Sequence, residues 1–195
     1  MRVYGLLFLM LLALPAAARV EWLEGVAFEH QRELAGVPLL LSGTHLSRWA
    51  GLVKVSVGGL WLPPDARGRD VLDAQVAKQL ELHYLAAIPG RRLRDGTRDI
   101  LARNWPASTL ARHQPGVDAI VEAFGDVKGG DRYTLSYRPG AGVALSLNGR
   151  VVAHTADDAA GALLFSVWLG ASPLNDDKKR DLLAYRLHGA QGAIR

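Results

Sequence analysis

Residues 130–170 constrain the fold most, because the period of their apolar residues changes once and cleanly. Up to residue 154 the period is two. Tyr133, Leu135 and Tyr137 alternate with Arg132, Thr134 and Ser136, giving a strand with one apolar and one wet face. Arg138-Pro139-Gly140-Ala141-Gly142 turns the chain, and Val143, Leu145 and Leu147 then alternate with Ala144, Ser146 and Asn148. Asn148-Gly149 is a strong hairpin signal, since both central positions of a type I′ turn need positive φ. Residues 151–154 return as a third strand. At Thr155 helical spacing takes over. Asp157 or Asp158 can cap a helix carrying Ala160, Leu163, Leu164, Val167 and Trp168, and Gly170 is placed to end it. An antiparallel meander running into an apolar helix predicts an α+β domain with helix packed on sheet.

More sheet is expected upstream. Residues 21–28 read as a strand with Trp22, Val26 and Phe28 apolar, residues 34–37 as a turn, and 38–42 as a second strand followed by a connection over 43–50. Residues 52–62 form a longer strand, with Val53, Val55, Val57 and Trp61 on one face and Lys54, Ser56 and Gly58 on the other. Gly58-Gly59 predicts a bulge or a close approach, and Pro63-Pro64 ends the strand. Residues 70–78 read as a short amphipathic helix, 80–84 as a strand, and 89–124 as helices restarted at Pro106 and Pro115. A last helix starts near Asp176-Asp177 and carries Leu182, Leu183 and Leu187. With no repeat, linker or low-complexity stretch, residues 19–195 are expected to form one domain.

Residues 1–18 are expected to lie outside that domain. A short basic start, an apolar run from Gly5 to Pro15 and Ala16-Ala17-Ala18 read as a signal peptide cleaved after about Ala18, which predicts a periplasmic or secreted protein. The apolar run is too short to span a bilayer, and no later stretch is suited to do so. Cleavage would leave 22 basic against 19 acidic residues, a net charge of +3. That charge is mild and dispersed, unlike the clustered footprint of a nucleic-acid binder. The absence of cysteine excludes disulfides, thiolate nucleophiles, zinc–thiolate sites and iron–sulfur clusters.

Motifs for catalysis are missing. The six histidines have no metal-ligand spacing, Lys54-Val55-Ser56-Val57-Gly58 lacks the first glycine of a nucleophile elbow, and the glycine-rich stretch 125–130 lacks the ending of a phosphate loop. No metal, cofactor or catalytic residue is assigned. The arginines between Arg91 and Arg103 read as the wet side of a helix pair. Arg48, Lys54 and Ser56 are the candidate ligand-binding residues. Lys54 and Ser56 share a strand face, and Arg48 stands on the connection before it. A buried arginine there would need a protein carboxylate or a bound anion.

The stretch Leu52-Val53-Lys54-Val55-Ser56-Val57-Gly58-Gly59-Leu60-Trp61-Leu62 resembles the F-x-K-V-Y-x-x-x-L-Y-L strand of the chalcone isomerase-like family. Leu80 to Tyr84, the segment from Asp126 through the hairpin at Gly149, Trp168-Leu169-Gly170 to Pro173, and Asp177 to Leu183 resemble later parts of its exported bacterial branch, over residues 25–184 in all. The resemblance implies a large antiparallel sheet with helices on one face and a cleft between. Plant members cyclise a chalcone there without a cofactor, using an arginine, a strand threonine, a helix-borne tyrosine and asparagine, and a further hydroxyl residue. Non-catalytic members bind fatty acids through an arginine and a strand tyrosine. By this resemblance Arg48 stands for the arginine, Ser56 replaces the threonine or tyrosine, and Val167 replaces the further hydroxyl residue. Residues 107–124 contain neither tyrosine nor asparagine. The resulting expectation is an exported, non-enzymatic binder of a small amphipathic anion such as a fatty acid. The alternatives are a cofactor-independent isomerase or lyase on a small aromatic substrate, and an interaction module with a self-filled cleft.

Overall fold

Pairs of residues with positive φ turn the chain at four of its hairpins. The structure is a computed structural model describing residues 19–66 and 70–184. The signal-peptide expectation and Leu187 fall outside those residues. Glu24-Gly25, Ala35-Gly36, Ala50-Gly51 and Asn148-Gly149 each carry positive φ at both positions, which matches the twist of a tight hairpin. The first of them corrects the single strand expected over residues 21–28. It is a hairpin of β1 (Val20–Leu23) and β2 (Val26–Glu29).

The main sheet has seven strands in unbroken sequence order: β3 (Gln31–Leu34), β4 (Val37–Trp49), β5 (Val53–Leu62), β6 (Lys78–Tyr84), β7 (Arg132–Arg138), β8 (Gly142–Leu147) and β9 (Arg150–Thr155). All pairings are antiparallel. β4 is a second correction, because it continues through the residues expected to be a connection. A register shift at Ser42 interrupts its alternation, which hides a strand from a period-two search, and a second shift skips Val55 on β5. Gly58 and Gly59 stay in register. They admit close neighbours instead, since a Cβ would strike Leu82 at Gly58, and Phe28 and Trp61 at Gly59. Residues 70–77 form no helix. Asp70 and Asp73 each accept from the backbone N–H two residues on, and such local turns compete with helical hydrogen bonds.

Helices cover one face. They are α1 (Gly90–Asn104), α2 (Ala107–Arg112), α3 (Gln114–Val121), α4 (Asp158–Leu169) and α5 (Asp176–Leu182). α4 lies on β7 and β8, α3 on β8 and β9, α5 on β4 and β5, and α1 packs on α4. Asp157 caps α4 by accepting from Ala159 N, and Asn175 caps α5 through Lys178 N. The larger core joins these helices to Leu60, Leu80, Leu82, Leu135, Tyr137 and Leu145. A smaller core, with Phe28, Leu39, Leu41, Val57 and Trp61, lies on the opposite face under the β1–β2 hairpin. There the sheet curls: Arg32 on β3 lies 3.3 Å from the Trp61 ring centroid and reaches Gln79 and Glu81 on β6.

Candidate functional site

The register across β4, β5 and β6 assembles a row of hydroxyl groups on the helix-covered side. Ser47 pairs with Ser56, and Ser56 pairs with Tyr84. α5 crosses this part of β4 closely. Its backbone at Asp181 and Leu182 occupies the place a Cβ on Gly43 would take. His45 Nδ1 lies 2.8 Å from Asp181 Oδ2, holding this same C-terminal end of the helix. That placement drives Lys178 inward, where it is 3% exposed and donates from Nζ to Ser47 Oγ at 3.1 Å. No carboxylate among the described residues pairs with it. Burial pushes the ammonium down to about 8. Burial, reinforced by the Tyr133 phenol, pushes Tyr84 up, so its hydroxyl stays protonated. The row thus offers one desolvated cation and three hydroxyl groups, a set suited to a carboxylate or similar anion.

Of the residues singled out from sequence, only Ser56 belongs to this row, and it is buried. Arg48 is exposed near the end of β4 and has no side-chain hydrogen bond or ion pair among the described residues. The register shift sets it opposite Lys54 instead of Val55. Lys54 is also exposed and donates to Glu24 Oε2 at 2.6 Å. Lys178 was not singled out. Its neighbourhood, Asp176-Asp177-Lys178-Lys179-Arg180-Asp181, has the composition of a solvated helix head.

A second lysine is buried elsewhere. Lys78 is 0% exposed, donates to Asp73 O at 3.1 Å, and lies 4.5 Å from the Tyr137 ring centroid. Burial pushes it down to about 8, with Asp73 and Asp70 opposing. The arginines of α1 bind this layer together: Arg94 donates to Phe124 O, and Arg98 pairs with Asp118 and Glu122 on the α3 side. An open groove of about 330 Å³ among α1, α2 and α3 is lined by Leu101, Leu110 and Val117. Another, of about 350 Å³, lies by Pro63, Val76 and Pro139.

A family model described as chalcone isomerase-like matches residues 20–184. The chain belongs to the chalcone isomerase-like family. Among solved structures, this chalcone isomerase-like fold is similar to a fatty-acid binding protein of Arabidopsis thaliana, with a TM-score of 0.65 and 14% sequence identity over 87% of this chain and 97% of that one. No curated protein matches the chain. The curled antiparallel sheet with helices on one side is the expected family architecture, and the match starts a few residues before the resemblance read from sequence.

Proposed function

We propose that the protein is an exported, non-enzymatic binder of a small amphipathic anion, with a long-chain fatty acid as the representative ligand. The observation that carries this reading is Lys178, a buried ammonium whose only hydrogen-bond partner for its Nζ among the described residues is Ser47, beside the hydroxyls of Ser56 and Tyr84. The carboxylate takes its place next to Lys178 and the tail runs between sheet and helices. The fatty-acid binding neighbour lends support at the level of fold. Burying about ten methylenes at ~0.8 kcal/mol each gives roughly 8 kcal/mol before entropy losses, near the ~8.2 kcal/mol of a micromolar complex. The head group then supplies orientation and selection against neutral ligands.

Calorimetric titration with palmitate tests the reading. Lys178→Met is expected to weaken binding by roughly 2–5 kcal/mol, the loss for one partner of a desolvated charge pair. Arg48→Ala, at an exposed position, is expected to change affinity only slightly. Undiminished affinity in Lys178→Met would remove the main support. Native mass spectrometry of protein from its host, with identification of extracted lipid, would name the ligand. Amino-terminal sequencing tests export, with Arg19 the expected first residue.

Lys178 also favours a second reading. A lysine near 8 is partly neutral at neutral pH and can accept a proton, as an isomerase or lyase base must. Residues 107–124 supply no tyrosine or asparagine, so stereoselective flavanone formation by the purified protein would be needed to establish it.

A further inference from the structure

We propose that the tip of the β4–β5 hairpin is a membrane-contact site that seats in the interface of an anionic lipid bilayer. Trp49 is 71% exposed, Leu52 85% and Val53 49%. Single exposed apolar residues are ordinary on a protein surface, but these three surround one turn. The turn also projects. Its last pairs, Arg48 with Lys54 and Trp49 with Val53, lie beyond Ser56 and Tyr84, where pairing between β5 and β6 begins. The turn is built rigidly, with φ of 49° at Ala50 and 73° at Gly51 and a hydrogen bond of 3.1 Å from Leu52 N to Trp49 O. Insertion therefore costs little additional ordering.

The chemistry of the tip fits a bilayer interface better than a dry protein surface. Tryptophan favours the head-group level, where its ring is buried and its indole N–H stays wet. Arg48 and Lys54 flank the apolar residues on a cross-strand pair and can reach phosphates as the tip enters. Lys54 is shared with Glu24, so most of the electrostatic attraction falls to Arg48. None of this depends on which ligand the interior holds.

The test uses flotation with phosphatidylcholine vesicles, with and without phosphatidylglycerol. Trp49→Ser combined with Leu52→Ser is expected to weaken partitioning at least about tenfold. Arg48→Ala should weaken it about fivefold on anionic vesicles alone. Because the chain has no cysteine, Leu52→Cys can carry a single environment-sensitive fluorophore. Its emission should shift to the blue with anionic vesicles, whereas a label on Ala74→Cys, exposed near the other end of the sheet, should not respond. Equal partitioning of the double variant and its parent, or equal response of the two labels, would overturn the proposal. So would a shift at residue 52 without vesicles that follows protein concentration, because the tip would then be a contact between copies of this chain.

Discussion

Lys78 and Lys178 are buried without a carboxylate in ion-pair contact among the described residues, and their titration governs stability on the alkaline side. Both are held near 8 in the fold, against 10.5 in the unfolded chain. Below pH 8 both states carry the proton and the cost of the buried charges is present in full. Between 8 and 10.5 the unfolded chain binds more protons than the folded one, so stability rises with pH. Burial pushes the tyrosines the other way, Tyr137 to about 12 and Tyr84 and Tyr133 upward. From about pH 10 the unfolded tyrosines ionise first and stability falls. Thermal unfolding against pH is therefore expected to peak near pH 10. Lys178→Met should remove about half of the rise and leave neutral-pH stability unchanged or higher. A flat profile from pH 8 to 10 would show that the lysines stay hydrated. Sequence alone could place Ser56 on a polar strand face but could not reveal Lys178. A lysine among six charged residues becomes a buried group only because α5 comes to rest on Gly43, far away along the chain.

Helix α4 shows how an element is specified by what it touches. Gly161 is a poor helix former, and Ala in its place would ordinarily stabilise a helix by up to ~1 kcal/mol. Here the added Cβ would run into the Tyr137 ring, itself fixed through its hydroxyl on Ala74 O at 2.7 Å. Gly161→Ala is accordingly expected to destabilise by about 1–3 kcal/mol in chemical denaturation, and a stabilised variant would mean that the ring is free to move. Elements with regular alternation, such as β7 and β8, were legible from sequence, and so was the capped α4. β4 was not, because the extra residue at Ser42 reverses the exposed face partway along. The hairpin turn at Glu24-Gly25 was missed for another reason. Glutamate, unlike the asparagine of Asn148-Gly149, carries no local signal for positive φ.

At the scale of the whole molecule, the α+β architecture followed from the periods and the helices on one face from the family resemblance, whereas the curl over Trp61 followed from neither. It rests on Arg32 reaching across two intervening strands, a contact that no local pattern encodes. The unbroken strand order has a consequence for how the chain folds. Pairings within β3 to β5 and within β7 to β9 join neighbours across short turns, so each set can zip locally. β5 and β6 are joined across residues 63–77, and only β6 with β7 must close over residues 85–131, which hold three helices. Search for that seam is the slow event expected in folding, since loop-closure entropy must be lost before its contacts form. A disulfide between Gln79→Cys and Ser136→Cys, paired positions whose native side chains touch at 2.9 Å, pre-closes the loop. Stopped-flow refolding should then accelerate roughly tenfold or more, whereas Ser136→Cys with Ala144→Cys, inside one hairpin, should change the rate little. Equal acceleration by both would move the barrier into the hairpins. Otherwise the two halves of this sheet behave kinetically as separate zippers, and the β6–β7 seam is the clasp that closes last.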